Sequence, residues 1–193
     1  MSNLYNIFKP YPCPYYYNRP MYQGHNMHNY YRKNPYHQWC KRPMYNADLW
    51  RKFINLKDYG PEPFVINIDK ATKQNTNYRT TLWTGNHLQL TLMSINPGED
   101  IGLEVHPNLD QFVRIEEGQG IVKMGDTKDS LDFQQQVYDG YAFIIPAGQW
   151  HNLINTGYTP LKLYSIYAPP EHPHGTIHET KADAEAAEKN HNH

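Results

Sequence analysis

From Phe64 onward, hydrophobic and polar residues follow a period of two. Phe64, Ile66 and Ile68 alternate with Val65 and Asn67, and Leu88, Leu90 and Leu92 alternate with Gln89, Thr91 and Met93. Gln111, Val113 and Ile115 share one face while Phe112 and Arg114 take the other, and Leu161 to Tyr167 is a further run of this kind. Successive side chains of a strand point to opposite faces, so this pattern predicts short strands that each bury one side. Turn residues separate the runs: Thr84-Gly85-Asn86, Asn96-Pro97-Gly98, Glu117-Gly118, Gly125-Asp126, Asp139-Gly140, Pro146-Ala147-Gly148 and Asn155-Thr156-Gly157. Many short strands divided by Gly, Pro and Asn turns predict an all-β barrel or sandwich.

Two stretches depart from that period. Asn46 can cap a helix from Ala47 to Lys57, on which Leu49, Trp50, Phe53, Ile54 and Leu56 form one apolar stripe before Gly60-Pro61 ends it. This short N-terminal helix is expected to pack on the outside of the barrel. After Pro169-Pro170 the chain is expected to leave the barrel. Thr180 and Asp183 then make a capping-box-like start for an Ala/Glu-rich C-terminal helix from Lys181 to Lys189. His172, His174 and His178 fall where the chain could pass the barrel mouth, but surface or loop roles are preferred for them, and His191 and His193 are assigned to a solvated end.

Composition adds a boundary near the start. Residues 1–45 hold ten tyrosines with Pro10, Pro12, Pro14, Pro20, Pro35 and Pro43 interspersed, and residues 1–47 contain six Lys or Arg and no acid. No helical or strand period survives there, so 1–45 is expected to be a disordered tail, 46–178 the folded domain with its preceding helix, and 179–193 a helix and tail. The 193 residues suffice for one ordinary domain with a good core. A net charge of -1 supplies no general attraction to nucleic acid or membrane. The first thirty residues show no signal-like apolar run and no 18-residue apolar stretch occurs, so neither a standard signal nor a membrane span is expected. Cys13 and Cys40 both precede the expected fold, which leaves no core disulfide and favours a reducing, cytoplasmic location.

The candidate chemistry lies between Gly98 and Asn155. Glu104 and His106 are two apart and so share a strand face; Asp110 and Gln111 follow a Pro-Asn turn, and His151 follows Pro146-Ala147-Gly148. Imidazole with carboxylate or carbonyl oxygen suits Zn, Fe, Ni, Mn or Co, so these residues make a candidate metal site built from three strands. A carboxylate at Glu104, flanked by Leu103 and Val105, would be costly to bury without a cation or donor beside it. A lone strand histidine is more often packed than ligating, and no catalytic residue beyond the ligands is assigned.

The same residues carry a family resemblance. The second cupin motif, G-x5-P-x-G-x2-H-x3-N, is matched by Gly140, Pro146, Gly148, His151 and Asn155. The first, G-x5-H-x-H-x3-4-E-x6-G, is matched in part: Gly98, His106 and Gly118 are present, Glu104 replaces the first histidine, and Gln111 or Asp110 stands where glutamate is expected. The chain therefore resembles a small single-domain bacterial cupin of the mannose-6-phosphate-isomerase-like kind, with a tyrosine-rich extension. The resemblance implies a double-stranded β-helix, or jelly roll, over roughly residues 80–170. It implies the metal set Glu104, His106, Gln111 and His151, with Gln111 preferred to Asp110 on strand parity and spacing, holding a divalent Zn, Fe, Mn, Ni or Co ion.

Two classes of function follow from the resemblance. One is a metal-dependent enzyme acting on a small molecule in the barrel, isomerase-like or dioxygenase-like. The ligand types resemble those of phosphomannose isomerases in a different chain order, but no lysine and arginine pair is clearly placed to hold a phosphate. The other is a non-enzymatic structural or binding cupin. Acid-poor tyrosine tails resemble those of spore-coat proteins, which suggests a spore-coat assembly as partner, and cupins commonly pair, which suggests a homodimer.

Overall fold

Alternation produces strands whose inward residues are mostly buried, with the strand Phe133–Tyr138 the clear exception. In the computed structural model, which describes residues 53–191, helix α1 (Ile68–Gln74) leads into β1 (Arg79–Thr84), β2 (Gln89–Ile95), β3 (Glu104–Val105), β4 (Asp110–Glu117) and β5 (Gln119–Gly125). The chain continues through β6 (Phe133–Tyr138), β7 (Ala142–Ile145), β8 (Trp150–Asn155), β9 (Leu161–Ala168), β10 (Ile177–His178) and helix α2 (Lys181–His191). A six-stranded sheet runs β10-β1-β2-β9-β4-β7, and a four-stranded sheet runs β3-β8-β5-β6. The mostly β architecture is the jelly-roll class that the alternation and motifs predicted.

The core lies between the sheets. Met93, Ile95, Val113, Ile115 and Leu163 come from the larger sheet, and Val122, Met124 and Leu153 from the smaller. Cross-strand partners share a face. One register row of the larger sheet is therefore Arg79, Met93, Leu163 and Ile115, and another is Gln89, Tyr167, Gln111 and Ile145. The first row places a cation among apolar residues, and the second brings Gln111 to the barrel interior, where it is buried.

The opposite face of the larger sheet has its own apolar layer. Ala71, Leu82 and Leu92 are buried there against Ile54, Leu56, Phe64, Ile66 and Ile68. Here two expectations fail. Ile68 opens α1 rather than continuing a strand from Phe64, because the Asn67 side chain caps the helix by accepting from the Lys70 N–H at 3.0 Å. Of the helix expected over 47–57, the described part, Phe53–Lys57, is not helical. The Gln74 amide takes both backbone groups of Ile54 (2.8 and 2.6 Å), which removes them from any helical ladder. The tail 1–45, both cysteines and the rest of that segment lie outside the described residues.

A third correction concerns the C-terminal part. The chain returns after Pro170: β10 pairs with β1, setting His178 opposite Arg79. The capping box forms as expected, with Asp183 accepting from the Thr180 N–H (2.9 Å) and hydroxyl (2.8 Å). The following helix is docked through Ala184, which is buried in the main core. No described helix is long and apolar enough to cross a membrane.

Candidate metal centre

The turn before β8 determines where His151 sits. Gly148 adopts φ +82°, a conformation that a side chain disfavours, and its N–H donates to the His106 carbonyl (2.8 Å). That bond ties the end of β3 to the start of β8. Glu104 then pairs directly with His151 across the two strands, while His106 follows on the same face as Glu104. The β8 strand is closed by Asn155, whose amide donates to the Ile95 and Thr159 carbonyls (2.9 Å each) and whose oxygen accepts from the Gly157 N–H (2.8 Å). The Gly, His and Asn of the second motif thus make and anchor one strand.

Three ligand-type atoms converge. Glu104 Oε1 lies 3.7 Å from His106 Nε2 and 3.3 Å from His151 Nε2. Ligand atoms of the three residues all lie within 4.8 Å of one another, a grouping able to hold a metal ion. Both Nε2 atoms are buried without a hydrogen-bond partner. The other ring nitrogens are engaged: His151 Nδ1 donates to the Gln149 carbonyl (3.0 Å), and His106 Nδ1 faces Glu171 Oε1 at 3.3 Å. Placing the proton on Nδ1 leaves an Nε2 lone pair directed at the shared point, the tautomer that a metal requires. Donor chemistry and orientation therefore fit a divalent ion.

Gln111 lines the same small interior cavity as Glu104 and His151. Its Nε2 donates to Ser165 Oγ (2.8 Å), while its Oε1 is buried without a partner. Asp110 is exposed and instead accepts from the Ala147 N–H (2.9 Å), holding the Pro146–Gly148 turn. The carboxylate at the alternative spacing thus supports the turn, and the amide faces inward.

Charge reinforces the centre. Burial alone would raise the Glu104 carboxyl, but the rings of His106 and His151 and the positive charge of Arg79 outweigh it and hold it well below the ordinary carboxylate range. Burial also opposes the charged form of His106, yet Glu104 and Glu171 raise that ring to about 9. In metal-free protein the His106 proton must therefore be displaced before the ring can ligate. Metal affinity should climb between pH 6.5 and about 9 and flatten above, by up to about tenfold per pH unit. The His106 contribution to the stability of the metal-free fold runs the other way: complete below the ordinary value, it is lost as pH passes about 9. Metal titrations across that window check the affinity, and a flat profile contradicts His106 as a ligand.

Sequence reasoning missed two neighbours and gave a third the wrong preference. Glu171, which orients His106, sits beyond β9 with no motif to mark it. Arg79 is a buried cation on the inward row. His172, assigned to a surface or loop role, lines the barrel mouth, where burial, aided by Arg79, lowers its ring to about 3. His178 likewise has a buried Nδ1, whereas His174 is exposed and contacts the Gly60 carbonyl (3.1 Å).

Comparison with known proteins agrees with this fold. The family model described as "Cupin domain" matches residues 91–167, which span β2 to β9. The uncharacterised Bacillus subtilis protein YrkC is 58% identical over 184 residues, covering 95% of this chain and 98% of the relative. The chain contains a cupin domain. An uncharacterised protein of Acanthamoeba polyphaga mimivirus is 44% identical over 115 residues, 59% of this cupin and 70% of the relative. A crystal structure of a Bacillus halodurans protein has 66% identity and a TM-score of 0.67, covering 67% of this cupin and 98% of that chain.

Proposed function

We propose that this cupin is a metal-dependent enzyme acting on a compact organic molecule received at the barrel mouth, with Glu104, His106, His151 and Gln111 as ligands. The observation that carries this reading is the convergence of two unpartnered imidazole nitrogens on one carboxylate oxygen. When bound there, a divalent metal would supply Lewis acidity and, if redox-active, one-electron chemistry.

The protein's own residues provide selection and support. A depression of about 630 Å³ lined by Glu104, Val105, His106, Glu171, His172, Pro173 and Glu188 opens above the triad. Beneath it the interior cavity is about 10 Å³, bounded by Met93, Val113, Phe143, Ile145 and Leu163, space for about one water molecule. A substrate therefore sits in the mouth and reaches the triad with one end. Glu171 and the Gln149 carbonyl keep both imidazoles in register while it does so. Three glutamates line the mouth, and Arg79 is the buried arginine beside it among the described residues. That charge pattern disfavours a phosphate dianion, so an oxygenase-like reaction is preferred here to sugar-phosphate isomerisation.

The filled interior favours one second reading, a binding cupin that holds metal without turnover. Protein loaded separately with Fe, Mn, Ni, Co or Zn should be screened for dioxygen uptake with small diketones and for isomerisation of sugar phosphates. Metal-dependent dioxygen uptake supports the enzyme reading. Full metal loading with no turnover of either class supports the binding module, and isomerisation alone overturns the oxygenase preference.

A further inference from the structure

We propose that Arg79 is an anion-recognition residue of the barrel mouth, receiving the carboxylate of a compact organic monoanion. This names the substrate class for the site proposed above and rests on that reading. Arg79 is 2% exposed, and its Nε and Nη1 are buried without a hydrogen-bond partner. A guanidinium stays charged at any ordinary pH, and buried charged donors are expected to be paired. The Tyr78 ring, 5.6 Å from Cζ, offers a face but no acceptor oxygen in plane. The Glu188 carboxylate is 3.9 Å from Nη1, beyond hydrogen-bond reach, although its side chain is largely exposed and free to be placed elsewhere.

The position matters as much as the missing partner. Glu188 lines the mouth together with Glu104, His106 and His172, so Arg79 Nη1 lies one side chain behind that wall. His178, opposite Arg79 on β10, and His172 each carry a buried ring nitrogen without a partner (Nδ1 and Nε2). Two free guanidinium N–H groups, with two unpartnered ring nitrogens beside them, therefore lie behind the wall of the mouth that holds the metal triad. A substrate carboxylate entering there would take up the Arg79 N–H groups while Glu188 swings toward solvent. One guanidinium matches the single charge of a carboxylate, and charge-assisted bonds of this kind fix orientation as well as affinity. In this arrangement Glu188 is an internal competitor held on α2, and the triad faces the other end of the bound molecule.

The test uses the full chain with acetate as probe and acetamide as its uncharged counterpart, followed by ligand-observed NMR in zinc-loaded and metal-free samples. Zinc content is measured on the same material, so a failure of the metal site is seen separately from a failure of the anion site. Acetate should bind and acetamide should not, and Arg79→Gln should weaken acetate by at least about tenfold with zinc content retained. Because Arg79→Gln alters a buried position, Glu188→Gln provides a second arm on the exposed face of α2. Removing that competing charge should tighten acetate by about threefold or more. Equal binding of acetate and acetamide, unchanged acetate affinity in a folded Arg79→Gln variant, or unchanged affinity in Glu188→Gln overturns the proposal. If wild-type protein retains no zinc, the metal reading fails and the metal-free titration alone decides the role of Arg79.

Discussion

Replacing His151 by alanine is expected to abolish metal retention while leaving a folded barrel. His151 is fully buried, its Nδ1 is held by the Gln149 carbonyl, and its Nε2 faces Glu104. Loss of an outer partner of a metal ligand typically costs about 10–100-fold in affinity, so removing a ligand itself should cost at least about 100-fold. The fold should survive because the bulk of the core, from Ile95 and Ile115 to Leu153 and Leu163, is apolar and lies elsewhere. Metal-free wild-type and variant proteins should differ by no more than about 2 kcal/mol in unfolding free energy. Global unfolding of His151→Ala would mark the cluster as a structural polar core instead. Calorimetric metal titration and chemical denaturation of both proteins separate the two outcomes.

Asn155→Ala should have the opposite profile, with a large loss of stability before any direct effect on the ligands. The Asn155 side chain is buried and makes three bonds, to the Ile95 and Thr159 carbonyls and from the Gly157 N–H. Alanine offers no replacement donor or acceptor. Leaving buried backbone groups unpaired costs about 1–3 kcal/mol each, so a total near 3 kcal/mol is expected if water reaches some of them. The denaturation midpoint should fall accordingly, and metal affinity measured well below that midpoint should change little. A midpoint equal to wild type contradicts this role, and a selective loss of metal binding would place Asn155 in the site.

The uneven legibility of this chain has physical causes. His106 and His151 could be found because a ligand must lie on the inward parity of a strand and because both fall at motif positions. Glu104 followed from His106 by the two-residue repeat, and the inward placement of Gln111 from the parity of Val113 and Ile115. The Thr180–Asp183 box is local chemistry and formed as read. Failures arose where local and tertiary preferences compete. Phe64, Ile66 and Ile68 alternate like a strand, but the Asn67 cap and the outer apolar layer at Leu82 and Leu92 turn the segment into an approach to α1. Ile54 has a helical stripe around it, yet Gln74, twenty residues away, takes its backbone.

The residues around the triad were hidden for a different reason. Glu171 meets His106 across 65 positions of chain, and Arg79 is set opposite His178, behind the Glu188 wall of the mouth, because β1 pairs with β10. Neither contact leaves a periodic mark, since each depends on strand order rather than on spacing. The family motif covers what the strands must supply. It leaves open the groups that surround the site, and the proposed anion recognition rests on one of those, Arg79.

One divalent ion is proposed to sit between Glu104, His106 and His151. Anomalous diffraction at metal absorption edges, on crystals of the full chain purified without added metal or chelator, addresses this proposal most directly. The predicted result is one peak per chain about 2.0–2.2 Å from both Nε2 atoms and a Glu104 carboxylate oxygen, with Gln111 Oε1 turned toward it. Density at that point with no anomalous signal at any transition-metal edge, while Glu104 keeps direct hydrogen bonds to the two imidazoles, would contradict the account.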